Sequence, residues 1–263
     1  MTKNKKFILG IGISDLTKKQ VLEEIKKGLK VRGGFFQIFT VNPEILVLAQ
    51  KNESFKKLIN KAQIATADGV GVLLAGKILG QPFKERVTGV ELMKSMVKMA
   101  DNFGLSVGLI GGRGDLAVKT AECLKKKHQN LKIFGLEGFK DVKKQTLAEK
   151  SLIISIIRDR KPQMLFVAFG APCQEFLIEW LRHATRNKQQ ATSNKQHAII
   201  AMGVGGSFAE ISGQVKRVPK WLDKLGLKWL WRLLCQPWRW RRQLALIEFI
   251  WLVLKEKFKF VKR

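Results

Sequence analysis

Short apolar runs alternate along this chain with longer stretches whose apolar residues recur every three or four positions. Runs rich in Ile, Val, Phe and Ala at 7–13, 35–41, 62–67, 105–110, 131–136, 163–169 and 198–202 predict strands. Between them the period becomes helical, near 17–30, 43–60, 69–79, 89–102, 113–127, 143–159 and 172–184. The second of these opens on Asn42-Pro43-Glu44, with a cap, a first-turn proline and an acid where a helix start favours them. Such alternation predicts an α/β fold, a mostly parallel sheet flanked by helices in a Rossmann-like core. Ligands in sheets of this kind gather beyond the carboxyl ends of the strands. Thr40, Asn42, Asp68, Gly111, Gly112 and Gly170 all fall at such ends.

The pattern changes after Gly213, which sets a boundary between a core at 1–213 and an appendage at 214–263. The appendage holds fourteen Lys/Arg against three Asp/Glu, and six of the seven tryptophans. Lys220, Lys224, Lys228 and Arg232 recur every four residues and predict a basic helical stripe, with Leu222, Leu225, Trp229, Leu230 and Leu233 on the other side. Pro237 should interrupt the helix. The segment 244–254 is apolar apart from Glu248. Eleven residues of helix rise only about 16 Å, too short to span a bilayer, and flanking Lys, Arg and Trp favour the interface of an anionic leaflet. Packing on the core, or a nucleic-acid surface, are the other readings of this appendage. The long apolar run counts against nucleic acid.

With 263 residues and 46% hydrophobic content the chain can bury a full core. The formal charge of +28 calls for an anionic partner: nucleic acid, anionic lipid or a phosphate-bearing substrate. Cys123, Cys173 and Cys235 form no CxxC pair, and His128, His183 and His197 show no ligand spacing, so no metal site is predicted. The basic start before Phe7 lacks the apolar length and small-residue cleavage site of a signal peptide. The polar run 186–197 reads as a surface insertion.

Asp68 ends an apolar run, in Ala67-Asp68-Gly69-Val70-Gly71. It can cap the helix that follows, or it can face a cleft. With a strand-end Thr40/Asn42 pair and Arg86, the parts needed to deprotonate an alcohol and receive a departing phosphate are present. Gly111-Gly112 and Gly203-Val204-Gly205 each follow a strand and precede a helix, where backbone amides can receive an anion. Neither completes a dinucleotide fingerprint. As single motifs they read as tight turns; together with Gly170-Ala171-Pro172-Cys173-Gln174-Glu175 they suggest a nucleotide-diphosphate cleft.

Taken in order, Thr-Val-Asn-Pro-Glu at 40–44, Ala-Asp-Gly-Val-Gly at 67–71, Glu-Arg-Val-Thr-Gly at 85–89, Pro-x-Gln-Glu at 172–175 and Gly-Val-Gly-Gly at 203–206 resemble the WecG/TagA/CpsF glycosyltransferases, nearest to the TagA branch. The resemblance covers nearly the whole chain. It implies an inverting, metal-independent enzyme without cofactor, peripheral on the cytoplasmic face of the cell membrane. The implied reaction moves N-acetylmannosamine from its UDP donor to N-acetylglucosaminyl-diphospho-undecaprenol, in teichoic-acid linkage-unit synthesis. It also implies Asp68 as base, Arg86 as partner of the departing UDP, and Thr40, Asn42 and Gln174 as substrate-positioning groups. In the appendage it matches Arg232, Arg239 and Arg242, with Arg241 for Arg242 if the register slips, to arginines that complete the site and hold the membrane. Alternatives are the same chemistry with another UDP sugar, such as UDP-N-acetylmannosaminuronic acid in enterobacterial common antigen or capsule synthesis, or a non-enzymatic basic binding module. Homo-oligomerisation is left open.

Overall fold

The structure, a computed structural model, describes residues 4–139, 145–185, 197–216, 218–219, 221–222, 226–235, 237 and 240–261. Among the described residues, strands run over β1 Lys5–Ile8, β2 Ile11–Ser14, β3 Phe35–Val41, β4 Ile64–Ala67, β5 Ser106–Gly111, β6 Lys132–Leu136, β7 Met164–Ala168 and β8 Ile199–Gly203. Their helices are α1 Lys18–Leu29, α2 Pro43–Lys51, α3 Glu53–Lys61, α4 Val70–Ile78, α5 Gly89–Phe103, α6 Leu116–Lys127, α7 Leu147–Arg160, α8 Cys173–Thr185, α9 Ser207–Ile211, α10 Lys228–Cys235 and α11 Trp240–Val261. The α/β expectation holds. Six strands form one sheet in the order β4-β3-β8-β7-β5-β6, and β3–β8, β8–β7, β7–β5 and β5–β6 pair in parallel. Strands β4 and β7 are buried along their whole length. Helices cover both faces of such a sheet, so its strands read as continuous apolar runs.

By contact the chain divides into two compact units. One comprises 1–18, 40–88 and 215–263, the other 19–39 and 89–214. The contact boundary at 214/215 falls beside the compositional one, but the C-terminal segment belongs to a unit with two earlier stretches of chain.

Three expectations change. The run 7–13 is not one strand: Leu9 and Gly10 both take positive φ, +51° and +73°, and β1 and β2 close an antiparallel hairpin. A two-residue turn of this hand matches the twist of the strands it joins. The stretch 43–60 is two helices, because Asn52 caps α3 with its side chain on the Phe55 N–H at 3.0 Å. A capping residue adopts extended backbone, so it ends α2 as it starts α3. In the C-terminal segment Trp221 and Leu222 are helical and a turn at Gly226 (φ +76°) separates them from the helix that starts at Lys228, so the basic stripe is not one continuous helical face. Lys220 and Lys224 lie outside the described residues, as does 186–196 of the polar insertion.

In the first unit, α11 lies on α2 and α4. Phe249 and Val253 are its buried face. Glu248 pairs with Lys51 at 2.6 Å, and Glu256 accepts the Leu9 N–H at 2.9 Å. The separation of α10 from α11 around Pro237 follows the sequence expectation. Replacing Asn52 by Ala should lower stability by about 1 kcal/mol, the usual cost of a lost N-cap, measured by urea unfolding.

Candidate functional site

The first unit assembles its site residues through backbone bonds. The Asp68 N–H donates to the Val41 carbonyl at 2.8 Å, and the Val87 N–H donates to the Ala67 carbonyl at 3.0 Å. Thr66 Oγ1 adds a bond to the Val87 carbonyl at 3.2 Å. Asp68 and Arg86 are chain neighbours of the bonded pair Ala67–Val87, so their backbones lie near one another just beyond the end of β4. Thr40 and Asn42 flank Val41 in the same way. Thus four of the sequence-predicted residues, Thr40, Asn42, Asp68 and Arg86, come from three separate loops to one place.

Each residue is held there by a local cause. Thr40 is buried near the end of β3. Asn42 Oδ1 accepts the Ile45 N–H at 2.9 Å as the cap of α2, which leaves its Nδ2 as the group able to donate elsewhere. The cap position of α4 is Gly69 and not Asp68. The half-buried Asp68 stands one residue before that cap and two before the first helical residue, Val70. The turn at Gly226 also reaches this region: a Cβ there would come within 2.7 Å of Val70 Cγ2.

The loop bearing Arg86 has its own braces, which the sequence reading missed. Asp15, 5% exposed, accepts the Lys84 N–H at 2.9 Å and pairs with Lys6 at 2.8 Å. Burial alone would raise its carboxyl, but the Lys6 and Lys84 contacts outweigh that and hold it below its usual value. Glu85 accepts the Lys18 N–H at 3.0 Å. The signal in the sequence was an acid just past an apolar run, one residue beyond Ser14.

In the second unit the glycine loops line up beyond three adjacent strands, β8, β7 and β5. The Gly112 N–H donates to the Ala168 carbonyl at 2.8 Å, and the Val204 N–H to the Val167 carbonyl at 2.9 Å. Gln174 ties two of these loops together. Its Oε1 accepts the Gly205 N–H at 2.9 Å and the Gly170 N–H at 3.3 Å, and its Nε2 donates to Glu175 Oε1 at 2.7 Å. Gly203 allows this approach, since a Cβ there would sit 2.9 Å from Gln174 Nε2. Gln174 is 4% exposed, so the structure shows it as a buried clamp. Glu175, 1% exposed, was not singled out from the sequence, where an acid in a first helical turn is ordinary. Burial pushes its carboxyl up to about 7, against the opposing effect of the Gln174 bond.

Arg232 and Arg242 lie on α10 and α11 with their side chains outside the described residues, and Arg239 is outside them altogether. A shallow cavity of about 420 Å³ between β6 and α7, lined by Phe134, Leu136, Ser155 and Ile156, touches none of the predicted site residues.

The profile of the glycosyl transferase WecG/TagA/CpsF family matches residues 7–263. The chain belongs to that family. Three relatives carry the name N-acetylglucosaminyldiphosphoundecaprenol N-acetyl-beta-D-mannosaminyltransferase. The Bacillus spizizenii protein is 33% identical over 86% of this chain and 80% of its own length. The Bacillus subtilis protein is 30% identical over 84% and 79%, and the Staphylococcus aureus protein 30% identical over 97% and 94%. The family assignment makes this chain a glycosyltransferase, as its motifs implied.

The Glu175 carboxyl gives a pH test. Its ordinary value is 4.5 and its folded value about 7, so the folded state holds the proton more tightly. Stability from this group is complete below the lower value and is lost as pH rises through the upper one. Glu175→Gln should therefore melt higher than the parent at pH 8, with the advantage disappearing toward pH 4.5, read by thermal unfolding across that range.

Proposed function

We propose that this glycosyltransferase moves N-acetylmannosamine from UDP-N-acetylmannosamine to N-acetylglucosaminyl-diphospho-undecaprenol with inversion at the anomeric carbon. The observation that carries the reading is the pair of backbone bonds that brings Asp68 beside Arg86. The names of the relatives supply the donor sugar and the acceptor. In the displacement, an acceptor hydroxyl oxygen bonds to the anomeric carbon as the bond from that carbon to the UDP oxygen breaks. Asp68 takes the hydroxyl proton. Arg86 offers the departing diphosphate a fixed charge and a fork of donors, and no metal is assigned a part. Thr40 and the Nδ2 of Asn42 orient the substrate, and the amides of Gly111, Gly112, Gly203 and Gly205 receive the donor's phosphates.

The acceptor is a lipid, and α11 is suited to meet it at the surface. Trp240, Leu244, Ile247, Trp251, Leu254 and Phe258 recur at intervals of three and four, and all are exposed. They form a stripe opposite the buried Phe249 and Val253. At 22 residues the helix is about 33 Å long, which on length alone could cross a hydrocarbon core. Arg241, Arg242, Glu248, Lys255, Glu256 and Lys257 interrupt it, and among the described residues no helix is apolar enough to cross a membrane. The reason against spanning is thus charge, and not the shortness read from 244–254. An apolar stripe bordered by Lys and Arg lies in the plane of an anionic leaflet, peripheral on the cytoplasmic face. Lys255 over the Trp251 ring, 4.7 Å from its centroid, joins the two kinds of contact.

Incubation with a panel of UDP sugars and a short-chain lipid acceptor tests the reaction; transfer only from the mannosaminuronic acid donor would reject the donor named. Asp68→Asn should cut kcat by about 10²- to 10⁴-fold, the usual contribution of a general base, while UDP binding measured by calorimetry persists. For attachment, Ile247→Glu with Trp251→Glu should abolish co-sedimentation with anionic vesicles. Undiminished binding by that variant rejects α11 as the anchor.

A further inference from the structure

Glu175 remains without a role in the reaction outlined above, and its surroundings suggest one. Its Oε1 receives the Gln174 amide at 2.7 Å, while its Oε2 is buried with no hydrogen-bond partner. An acidic side chain buried to 1% exposure, with one oxygen unsatisfied, costs stability that an apolar residue in its place would not. The gain lies in direction. A carboxamide has two chemically different ends, and Gln174 must aim its oxygen at both Gly170 and Gly205 for the two loops to be joined. An acceptor beside the nitrogen end fixes that choice. Among the described residues, the Gln174 carboxamide otherwise bonds only those two glycine amides.

We propose that Glu175 is a positioning residue, which orients the Gln174 carboxamide and through it sets the spacing of the glycine loops after β7 and β8. The functional part of this rests on the reading that these loops receive the phosphates of a UDP donor. Glu175 touches no substrate. It acts through Gln174, and its loss loosens both loops together.

The test uses the full chain and two readouts. Amide exchange at Gly170 and Gly205, followed by NMR, reads the clamp directly; affinity for UDP, by calorimetry, reads its consequence. Glu175→Leu should speed exchange at both glycines and weaken UDP binding, each by about tenfold, the equivalent of one hydrogen bond lost. Glu175→Gln, which keeps an acceptor for the Gln174 amide, should restore both. If Glu175→Leu does not fold, Glu175→Met, an unbranched side chain of similar reach, serves in its place. Unchanged exchange in the folded variant overturns the proposal. Faster exchange with unchanged UDP affinity overturns the link from clamp to donor. If the parent protein itself binds no UDP, the donor reading fails, while the exchange result still decides whether the clamp exists.

Discussion

Two backbone hydrogen bonds, from Asp68 to Val41 and from Val87 to Ala67, are the constraint that brings the first unit's polar loops together. Neither involves a side chain that does chemistry. They join three loops, bridging 27 positions of chain from Val41 to Asp68 and 20 from Ala67 to Val87. Backbone bonds in a buried strand end are costly to leave unmade, which makes them a firm ruler for the side chains beside them. An acid and an arginine on flexible surface loops would have to be ordered anew for each substrate. Here folding has already done so.

The second unit follows the same principle with a side chain as the fastener. Gln174 gives one oxygen to two glycine amides, and Glu175 directs it. Glycine is used there because backbone must approach a side chain closely, as at Gly203. Buried polar groups in this arrangement are expensive singly and informative as a set, because each has one geometry that satisfies the others.

The C-terminal segment joins the first unit to what lies outside it. One face of α11 is occupied by α2 and α4, the helices that begin at Asn42 and just after Asp68. Its other face is apolar and exposed. A helix with two apolar faces and only one of them covered has a second partner to find. A displacement of α11 would be felt by α2 and α4, on which it packs.

Much of this was legible in the residues. Apolar runs and their periods placed six of the strands and most helices, since burial in a parallel sheet demands them. Thr40, Asn42, Asp68 and Arg86 stood out because polar groups at strand ends are not needed for packing. What periodicity could not show was anything set by two distant pieces of chain. The Leu9-Gly10 turn looks apolar and so hid a hairpin. Which residue holds the cap position of α4 could not be read until Gly69 was seen to take it. The braces from Asp15 and Glu175 appear only once Lys84 and Gln174 are beside them, because a hydrogen bond depends on distance in space. Residue type and spacing determined the elements and the available chemistry; tertiary structure alone decided which groups meet, because hydrogen bonds and burial act over ångströms and carry no trace of separation along the chain.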